Sequence, residues 1–222
     1  MTMVALAFSP DFCIVAADKA VGEIVQNGRK VLLPIQAVKI KYSTTEPMPY
    51  IATAAGFSQA VEHVSNYDMK LPGDIIQLGD SLALEMKTTM PQAAWVNEYT
   101  SSFVLALYDN KFYTRGFYLN DEVVLFQSDN PISSVIPAGL SDPNLAARKA
   151  HWERNLTEAI TPQDSTRTPL ERLNDTLAVM TDAFSECASI NNFVSSSFDY
   201  CVLTKDGEKI TLNSVPTGTI FG

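Results

Sequence analysis

The alternation of apolar and polar stretches predicts a strand-rich first quarter of the chain. Residues 1–18 contain two apolar runs around the polar turn Ser9-Pro10-Asp11, which predicts a hairpin whose second strand ends at Asp18. Asn27-Gly28 between two more apolar runs is a strong short-range signal for a second hairpin. The further strands predicted in this part of the chain are 19–25, 30–35, 38–42 and Tyr50–Ala55.

Beyond residue 56 the spacing of apolar positions changes to that of helices. Apolar residues recur at helical intervals over 57–64 and again over about 74–87. Asp142-Pro143 and Thr168-Pro169 each supply a capping residue and a proline suited to the first turn of a long helix. The remaining predicted strands are 102–108, Lys111–Tyr118, 122–127, Phe198–Thr204 and 208–212, and the tail 213–222 is predicted to be loose.

The order of elements, with helix pairs between groups of strands, predicts one α+β domain that spans residues 1–222. Strands joined by tight turns are antiparallel, and each helix pair needs an apolar sheet face to cover. We therefore expect a four-layer αββα sandwich, in which two stacked antiparallel sheets are flanked by helix pairs. A single sheet with all helices on one side is the alternative.

The amino-acid composition argues against two classes of binding partner, nucleic acids and anionic membranes. The 16 basic and 25 acidic residues give a net charge of −9, and a chain without a Lys/Arg-rich run has little affinity for phosphate backbones or anionic lipid surfaces. No apolar run approaches the roughly 20 residues that span a bilayer, and no basic segment precedes the N-terminal apolar run. We accordingly expect a cytoplasmic protein that binds neither nucleic acid nor a membrane.

The cysteines and histidines offer little for metal or nucleophilic chemistry. The three cysteines, Cys13, Cys187 and Cys201, lack metal-ligand spacing and are expected to be buried and reduced. The two histidines, His63 and His151, both fall in helical patterns. We therefore expect no metal and no cofactor.

Thr2 stands directly behind the start methionine and is the first candidate for catalysis. Removal of Met1, which is usual before a residue as small as threonine, leaves a hydroxyl and a free amine on one residue. Such a residue carries a nucleophile and its general base together. The alternative, on these residues alone, is an ordinary N-terminal strand.

The element order and several motifs together resemble the β-type subunit of the proteasome and its simpler bacterial relatives, which are N-terminal-nucleophile (Ntn) hydrolases. The resemblance runs from Thr2 to about residue 212 and is thin between 72 and 99. In that family the threonine stands sixteen residues before an acidic residue, as Thr2 does before Ala17-Asp18. The closing stretch 198–207 also looks like the family's final hairpin.

Two further motifs resemble parts of the family's site. Val38-Lys39-Ile40 is similar to the strand that carries the family's lysine, and Lys30 is a second candidate for that lysine. Ala54-Ala55-Gly56 resembles the small-residue run that supplies the family's oxyanion-hole glycine.

The resemblance implies acyl transfer. The Thr2 hydroxyl would attack a peptide or amide carbonyl while its own α-amine takes the proton, and Lys39 would favour the neutral amine and the developing alkoxide. Asp18 would hold and orient Lys39, the Gly56 N–H would bind the oxyanion, and Ser195 would support the threonine.

Departures from the family pattern lie at the far end of this site. Asn191-Asn192 stands where the family carries an aspartate. Residues 137–140 stand where the family has a Gly-Ser-Gly turn, whose serine is a second supporting residue. Lys19 follows Asp18 in place of a small hydroxyl residue. These losses affect the expected proteolytic activity more than the expected fold.

The function implied is that of a threonine endopeptidase subunit in a proteasome-like, self-compartmentalising particle. Its partners would be a peptide or protein substrate, further copies of the chain in a ring or other array, and a separate ATP-dependent unfoldase. Two alternatives are a catalytically inactive structural or assembly subunit of the same fold and an unrelated α+β binding protein.

Overall fold

The protein combines antiparallel sheets with helices, which agrees with the predicted α+β class. The computed structural model describes residues 2–24, 30–55, 58–89, 101–118, 123–126, 132–136, 143–161, 167–205, 211–216 and 219. The strands are β1 Val4–Phe8, β2 Phe12–Asp18, β3 Ala20–Ile24, β4 Lys30–Gln36, β5 Ile40–Ser43, β6 Tyr50–Ala55, β7 Ser101–Tyr108, β8 Lys111–Tyr118, β9 Val123–Phe126, β10 Ile132–Ile136, β11 Phe198–Thr204 and β12 Thr211–Val215. The helices are α1 Ser58–Asn66, α2 Pro72–Thr89, α3 Pro143–Ile160 and α4 Pro169–Ile190.

The strands form two five-stranded antiparallel sheets and a separate two-stranded pair. The first sheet has the order β10-β1-β2-β11-β12, and the second has the order β5-β6-β7-β8-β9. β3 pairs with β4 outside both sheets. In the first sheet Val4 of β1 lies opposite Ala17 of β2, and Phe198 of β11 lies opposite Asp18. The alternative of a single sheet is therefore wrong.

β2 lies at the centre of the first sheet and is buried along its whole length. Its continuous apolar sequence suits a strand that is covered on both faces. Alternate side chains point to opposite faces of a strand. Ile14 and Ala16 accordingly pack in one core cluster, while Cys13 and Val15 pack in another.

Among the residues that the structure describes, three apolar clusters form the core. One joins β1, β2 and β11 of the first sheet to β5, β6, β7 and β8 of the second sheet. Another joins the opposite face of the first sheet to α3 and α4, and includes Phe184 stacked on Phe198 with ring centroids 4.5 Å apart. The remaining cluster joins β6 and β7 to α1 and α2. Burial of these faces supplies the main stabilisation of the fold.

The predicted start of α4 is confirmed by its capping geometry. The Thr168 hydroxyl accepts the Glu171 backbone N–H at 3.2 Å, and the Glu171 carboxylate accepts the Thr168 N–H at 2.7 Å. Pro169 occupies the first helical turn. These contacts satisfy donors that a helix N-terminus otherwise leaves unpaired.

The structure differs from the sequence prediction at one strand that was not predicted and at several element boundaries. β10 was not predicted, although it pairs with β1 at an edge of the first sheet. β5 begins at Ile40, so Lys39 lies just before the strand rather than within it. β12 extends to Val215, so it includes the first residues of the segment that was expected to be loose. None of the helices in the described ranges is long and apolar enough to cross a bilayer.

Candidate functional site

The site is built around Asp18, the last residue of β2, whose side chain is fully buried. Its Oδ1 accepts the Met3 N–H at 2.9 Å and a proton of the Lys39 ammonium at 2.9 Å. Its Oδ2 accepts the Ala20 N–H at 3.0 Å and the Ser195 N–H at 3.3 Å. Four donors therefore converge on this carboxylate, which matches the acceptor capacity of its two oxygens.

Lys39 reaches this carboxylate from the second sheet. It directly precedes β5, and its carbonyl accepts the Thr53 hydroxyl of β6 at 2.8 Å. Its side chain is 6% exposed, and its Nζ donates to the Ala20 carbonyl at 2.6 Å as well as to Asp18. The lysine thus joins the two sheets at the point where β2 ends.

Burial dominates the electrostatics of this pair. It lowers the pKa of Lys39, while the charge and hydrogen bond of Asp18 act in the opposite direction. Burial also raises the pKa of Asp18, and the Lys39 charge and the donated hydrogen bonds oppose that rise. A desolvated ion pair is stable only when its remaining hydrogen-bonding positions are filled, as they are here for Asp18.

Thr2 adjoins the ion pair through the backbone. The Met3 N–H binds Asp18 as described, and the Met3 carbonyl accepts the Asp18 N–H at 3.1 Å. Thr2 is therefore one residue from the contact that fixes the carboxylate, and it is only 6% exposed. The structure brings Thr2, Asp18, Lys39 and the backbone of Ser195 into one region.

Two other expected positions are not part of this description. Gly56 and residues 137–140 lie outside the described residues. Lys30 begins β4 and pairs with Ile24 in the strand register. Among the side chains that the structure describes, the lysine that contacts Asp18 is Lys39.

Ser195 lies in the turn between α4 and β11, where it contacts Ser197. Its hydroxyl is 2.7 Å from the Ser197 hydroxyl and accepts the Ser197 N–H at 3.1 Å. Asn191 helps to shape the same turn, because its side-chain oxygen accepts the Phe193 N–H at 3.0 Å. The Asn191 side chain thus stabilises the local backbone of this turn.

A cavity of about 280 Å³ opens beside these residues. It is lined by the β4 segment 32–36, by Ala20, and by Val194 and Ser195. Ala20 and Ser195 are two of the residues whose N–H groups hold Asp18, so the cavity adjoins the site. Its lining is mainly aliphatic, which suits an apolar group better than a charged one.

Asp199 is a further buried acid near the site that the sequence analysis did not single out. It is 2% exposed and lies on β11 opposite Ala17. Lys19 forms an ion pair with it at 3.2 Å, and the Ser214 hydroxyl donates to its Oδ1 at 2.5 Å. An acidic residue within the otherwise apolar run of β11 was the available signal.

Across the described ranges, no three His, Cys, Asp or Glu side chains are grouped so as to hold a metal ion. Neither a scan against models of known protein families nor a search of curated proteins found a match for the chain. The functional argument therefore depends on the geometry of the site.

Proposed function

We propose that this protein is a threonine-type N-terminal-nucleophile hydrolase that cleaves peptide or amide bonds. The observation that carries the proposal is the buried Asp18–Lys39 ion pair, which is bonded to the backbone of Met3, directly after Thr2. A buried ion pair contributes little net stability, because desolvation offsets most of its Coulombic attraction. A catalytic role explains why this one is retained beside the N-terminal strand.

The proposed reaction begins after removal of Met1. The Thr2 hydroxyl loses its proton to its own α-amine and forms a bond to the substrate carbonyl carbon. The carbon–nitrogen bond of the substrate then breaks, and the leaving amine takes the proton from the α-ammonium. Water hydrolyses the resulting ester and restores Thr2. The Lys39 charge favours the neutral amine and the alkoxide, and Asp18 fixes the position of Lys39.

The arrangement of the core supports the finer prediction of fold. One apolar cluster joins the two five-stranded sheets, and two others join their opposite faces to α3 and α4 or to α1 and α2. We propose that these elements form the four-layer αββα sandwich of the Ntn hydrolases. In that fold the N-terminal strand begins at the site, as β1 does beside Asp18.

The cavity supports a peptide substrate with an apolar side chain near the cleaved bond. The β4 segment 32–36 supplies an aliphatic wall, and Ser195 links this wall to the ion pair. Burial of an apolar side chain in such a cavity contributes about 25 cal/mol per Å² of surface removed from water. We also propose assembly of several copies, with Ile76 and Leu84 of α2 as exposed apolar contact residues.

The decisive experiment combines the mass of the N-terminus with hydrolysis of fluorogenic peptides. We expect a mass that lacks Met1, cleavage after apolar residues, and a covalent adduct of an epoxyketone or β-lactone on Thr2. Thr2→Ala should reduce kcat/KM by about 1,000-fold or more, because it removes the nucleophile. Thr2→Ser is the matched control and should retain cleavage, since it keeps a hydroxyl and an α-amine. Full retention of Met1 together with absence of cleavage would reject the proposal.

A catalytically inactive structural or assembly subunit is the second candidate. Two observations favour it: Thr2 is 6% exposed, and the Asn191 side chain serves its own turn rather than acting as an acid. Under this alternative Met1 stays on the chain, Thr2→Ala leaves assembly unchanged, and no mechanism-based inhibitor forms an adduct. Intact mass after treatment with inhibitor separates the two candidates in one measurement.

A further inference from the structure

Asp199 faces the space between the two sheets, close to the end of β2. It alternates along β11 with Cys201 and Leu203, which pack in the cluster that joins the sheets. Side chains two residues apart on a strand share a face. The Asp199 carboxylate therefore points toward the second sheet, from which Lys39 enters the site.

The hydrogen bonds of Asp199 are incomplete. Its Oδ1 is bound by Ser214 and by Lys19, and Lys19 also donates to the Ser214 hydroxyl at 3.3 Å. Its buried Oδ2 accepts no hydrogen bond from any residue that the structure describes. A buried carboxylate oxygen without a donor lowers stability, so packing alone does not account for an acid at this position.

Three consecutive residues connect Asp199 to the ion pair of the site. Asp18 holds Lys39, Lys19 holds Asp199, and the Ala20 carbonyl accepts a second proton of Lys39. The Lys19 N–H also donates to the Ser197 carbonyl at 3.4 Å, at the start of β11. A shift in the Asp199–Lys19 pair would therefore be transmitted to both acceptors of Lys39.

We propose that Asp199 is a positioning residue for Lys39, which keeps the Lys39 ammonium charged and in place beside Thr2, and that Lys19 moderates this effect. This role rests on the proposed hydrolase function. The carboxylate adds a second negative charge on the side from which Lys39 enters, while Lys19 limits how much of that charge Lys39 experiences. Asp199 itself makes no contact with the substrate.

The charges around Lys39 agree with this role. Burial lowers the pKa of Lys39, whereas Asp18 and then Asp199 raise it. Among the described residues, the other titratable groups that face this cluster are Lys19, which pairs with Asp199, and Cys187 of α4, whose pKa is raised to about 12 by burial and by the charge of Asp18. Cys187 is therefore a neutral thiol at physiological pH, and the two lysines and two aspartates set the local field.

The test is a titration of the Lys39 side chain by NMR, using its 13Cε signal, in the native chain and three variants. Asp199→Asn should lower the pKa of Lys39, because a negative charge is lost. Lys19→Gln should raise it, because a positive charge is lost and Asp199 is no longer paired. Ser214→Ala removes a hydrogen bond at the same place without a change of charge, and should leave the titration unchanged.

Opposite shifts in the two charge variants support the proposal, whereas an unchanged Lys39 titration in both would overturn it. If Asp199→Asn does not fold, the test depends on the other two variants. The pKa of Lys39 should then rise in Lys19→Gln and stay unchanged in Ser214→Ala. This titration needs no catalytic activity, so its result is independent of whether Thr2 proves to be a nucleophile.

A second measurement applies to the active enzyme. Asp199→Asn should reduce kcat/KM by roughly tenfold, which corresponds to about 1.4 kcal/mol of transition-state stabilisation. The alkaline limb of its pH–rate profile should move to lower pH, because Lys39 loses its proton sooner. A fall in activity with an unshifted profile would mean that Asp199 is only structural and would overturn the proposed role. An absence of cleavage in the unmodified protein would instead reject the hydrolase function.

Discussion

The two ends of β2 each carry an ion pair that joins residues far apart in the sequence, and they differ in access to water. At the end next to the β1–β2 turn, Asp11 pairs with Arg172 of α4. At the other end, Asp18 pairs with Lys39. The Asp11 side chain is 42% exposed, whereas that of Asp18 is fully buried.

This difference separates a contact that joins two structural elements from the ion pair for which we propose a catalytic role. Arg172 also donates to the Arg167 carbonyl at 2.9 Å, so its guanidinium attaches the start of α4 to the β1–β2 turn. Because water reaches Asp11, that carboxylate stays solvated if its partner is lost. Water does not reach the Asp18 carboxylate, which therefore depends on the four hydrogen-bond donors that surround it. The pair that is costlier to bury is thus the one that adjoins Thr2.

Loss of the buried lysine should give the largest effect. Lys39→Met leaves the Asp18 carboxylate buried without its counter-charge, which should lower the free energy of unfolding by about 3–5 kcal/mol. In the proposed hydrolase mechanism Lys39 assists proton transfer at Thr2, so Lys39→Met should also reduce kcat/KM by about 100-fold or more. Urea denaturation and peptide hydrolysis measure the two effects.

The matched control is the double variant Asp18→Asn with Lys39→Met. It removes both charges, so it should unfold at a higher urea concentration than Lys39→Met alone while remaining inactive. If the double variant is no more stable than the single variant, an unpaired charge is not the cause of the instability.

The Asp11–Arg172 pair, of which only the carboxylate reaches water, should respond much less. Arg172→Met keeps an apolar side chain of similar length in the helix, and the Asp11 carboxylate keeps its contact with water. We expect a loss of about 1 kcal/mol in the free energy of unfolding and a kcat/KM that is unchanged within about twofold. A loss as large as that of Lys39→Met would show that both ends of β2 are equally dependent on their ion pairs.

Elements with local signals could be predicted from the sequence. The β1–β2 hairpin follows from Ser9-Pro10-Asp11, and the start of α4 follows from Thr168-Pro169 with Glu171. In both cases residues within a few positions supply the turn or the cap. The resulting boundaries agree with the structure.

Elements that depend on distant residues were harder to predict. β10 is short and has serines at its centre, and its hydrogen-bonding groups are satisfied in part by Glu153 of α3. The Glu153 carboxylate accepts the Val135 N–H at 2.9 Å, and the Glu153 carbonyl accepts the Ser133 hydroxyl at 2.7 Å. No sequence pattern within residues 132–136 predicts a contact with Glu153. The strand exists because of its tertiary contacts rather than its own propensity.

The residues of the candidate site also divide into those with a local sequence signal and those that depend on distant residues. Asp18 was expected from its place at the end of an apolar strand, but its pairing with Lys39, 21 residues away, was expected only through the family resemblance. Asp199 was missed because its burial depends on Lys19 and on Ser214 of a different strand. Sequence spacing does not encode such contacts across strands.

The reactivity of the three cysteine thiols gives the most detailed comparison of the two ends of β2. Burial raises the pKa of Cys187 and of Cys201 to about 12, and it also raises that of Cys13. At pH 8 only about one such thiol in 10,000 is ionised, so a thiol reagent should label none of them in the native protein and all three in urea. The charge of Asp18 acts on Cys187, which places this thiol at the Lys39 end.

Partial opening of that end should therefore expose Cys187 before the other two thiols. We expect Lys39→Met to increase the labelling rate of Cys187 selectively in the absence of urea, and Arg172→Met to leave it at the native rate. Peptide mass mapping after a short exposure to iodoacetamide identifies the labelled residue. Equal labelling of Cys13, Cys187 and Cys201 in Lys39→Met would mean that the protein opens as a whole, and the proposed local difference between the ends of β2 would then be wrong.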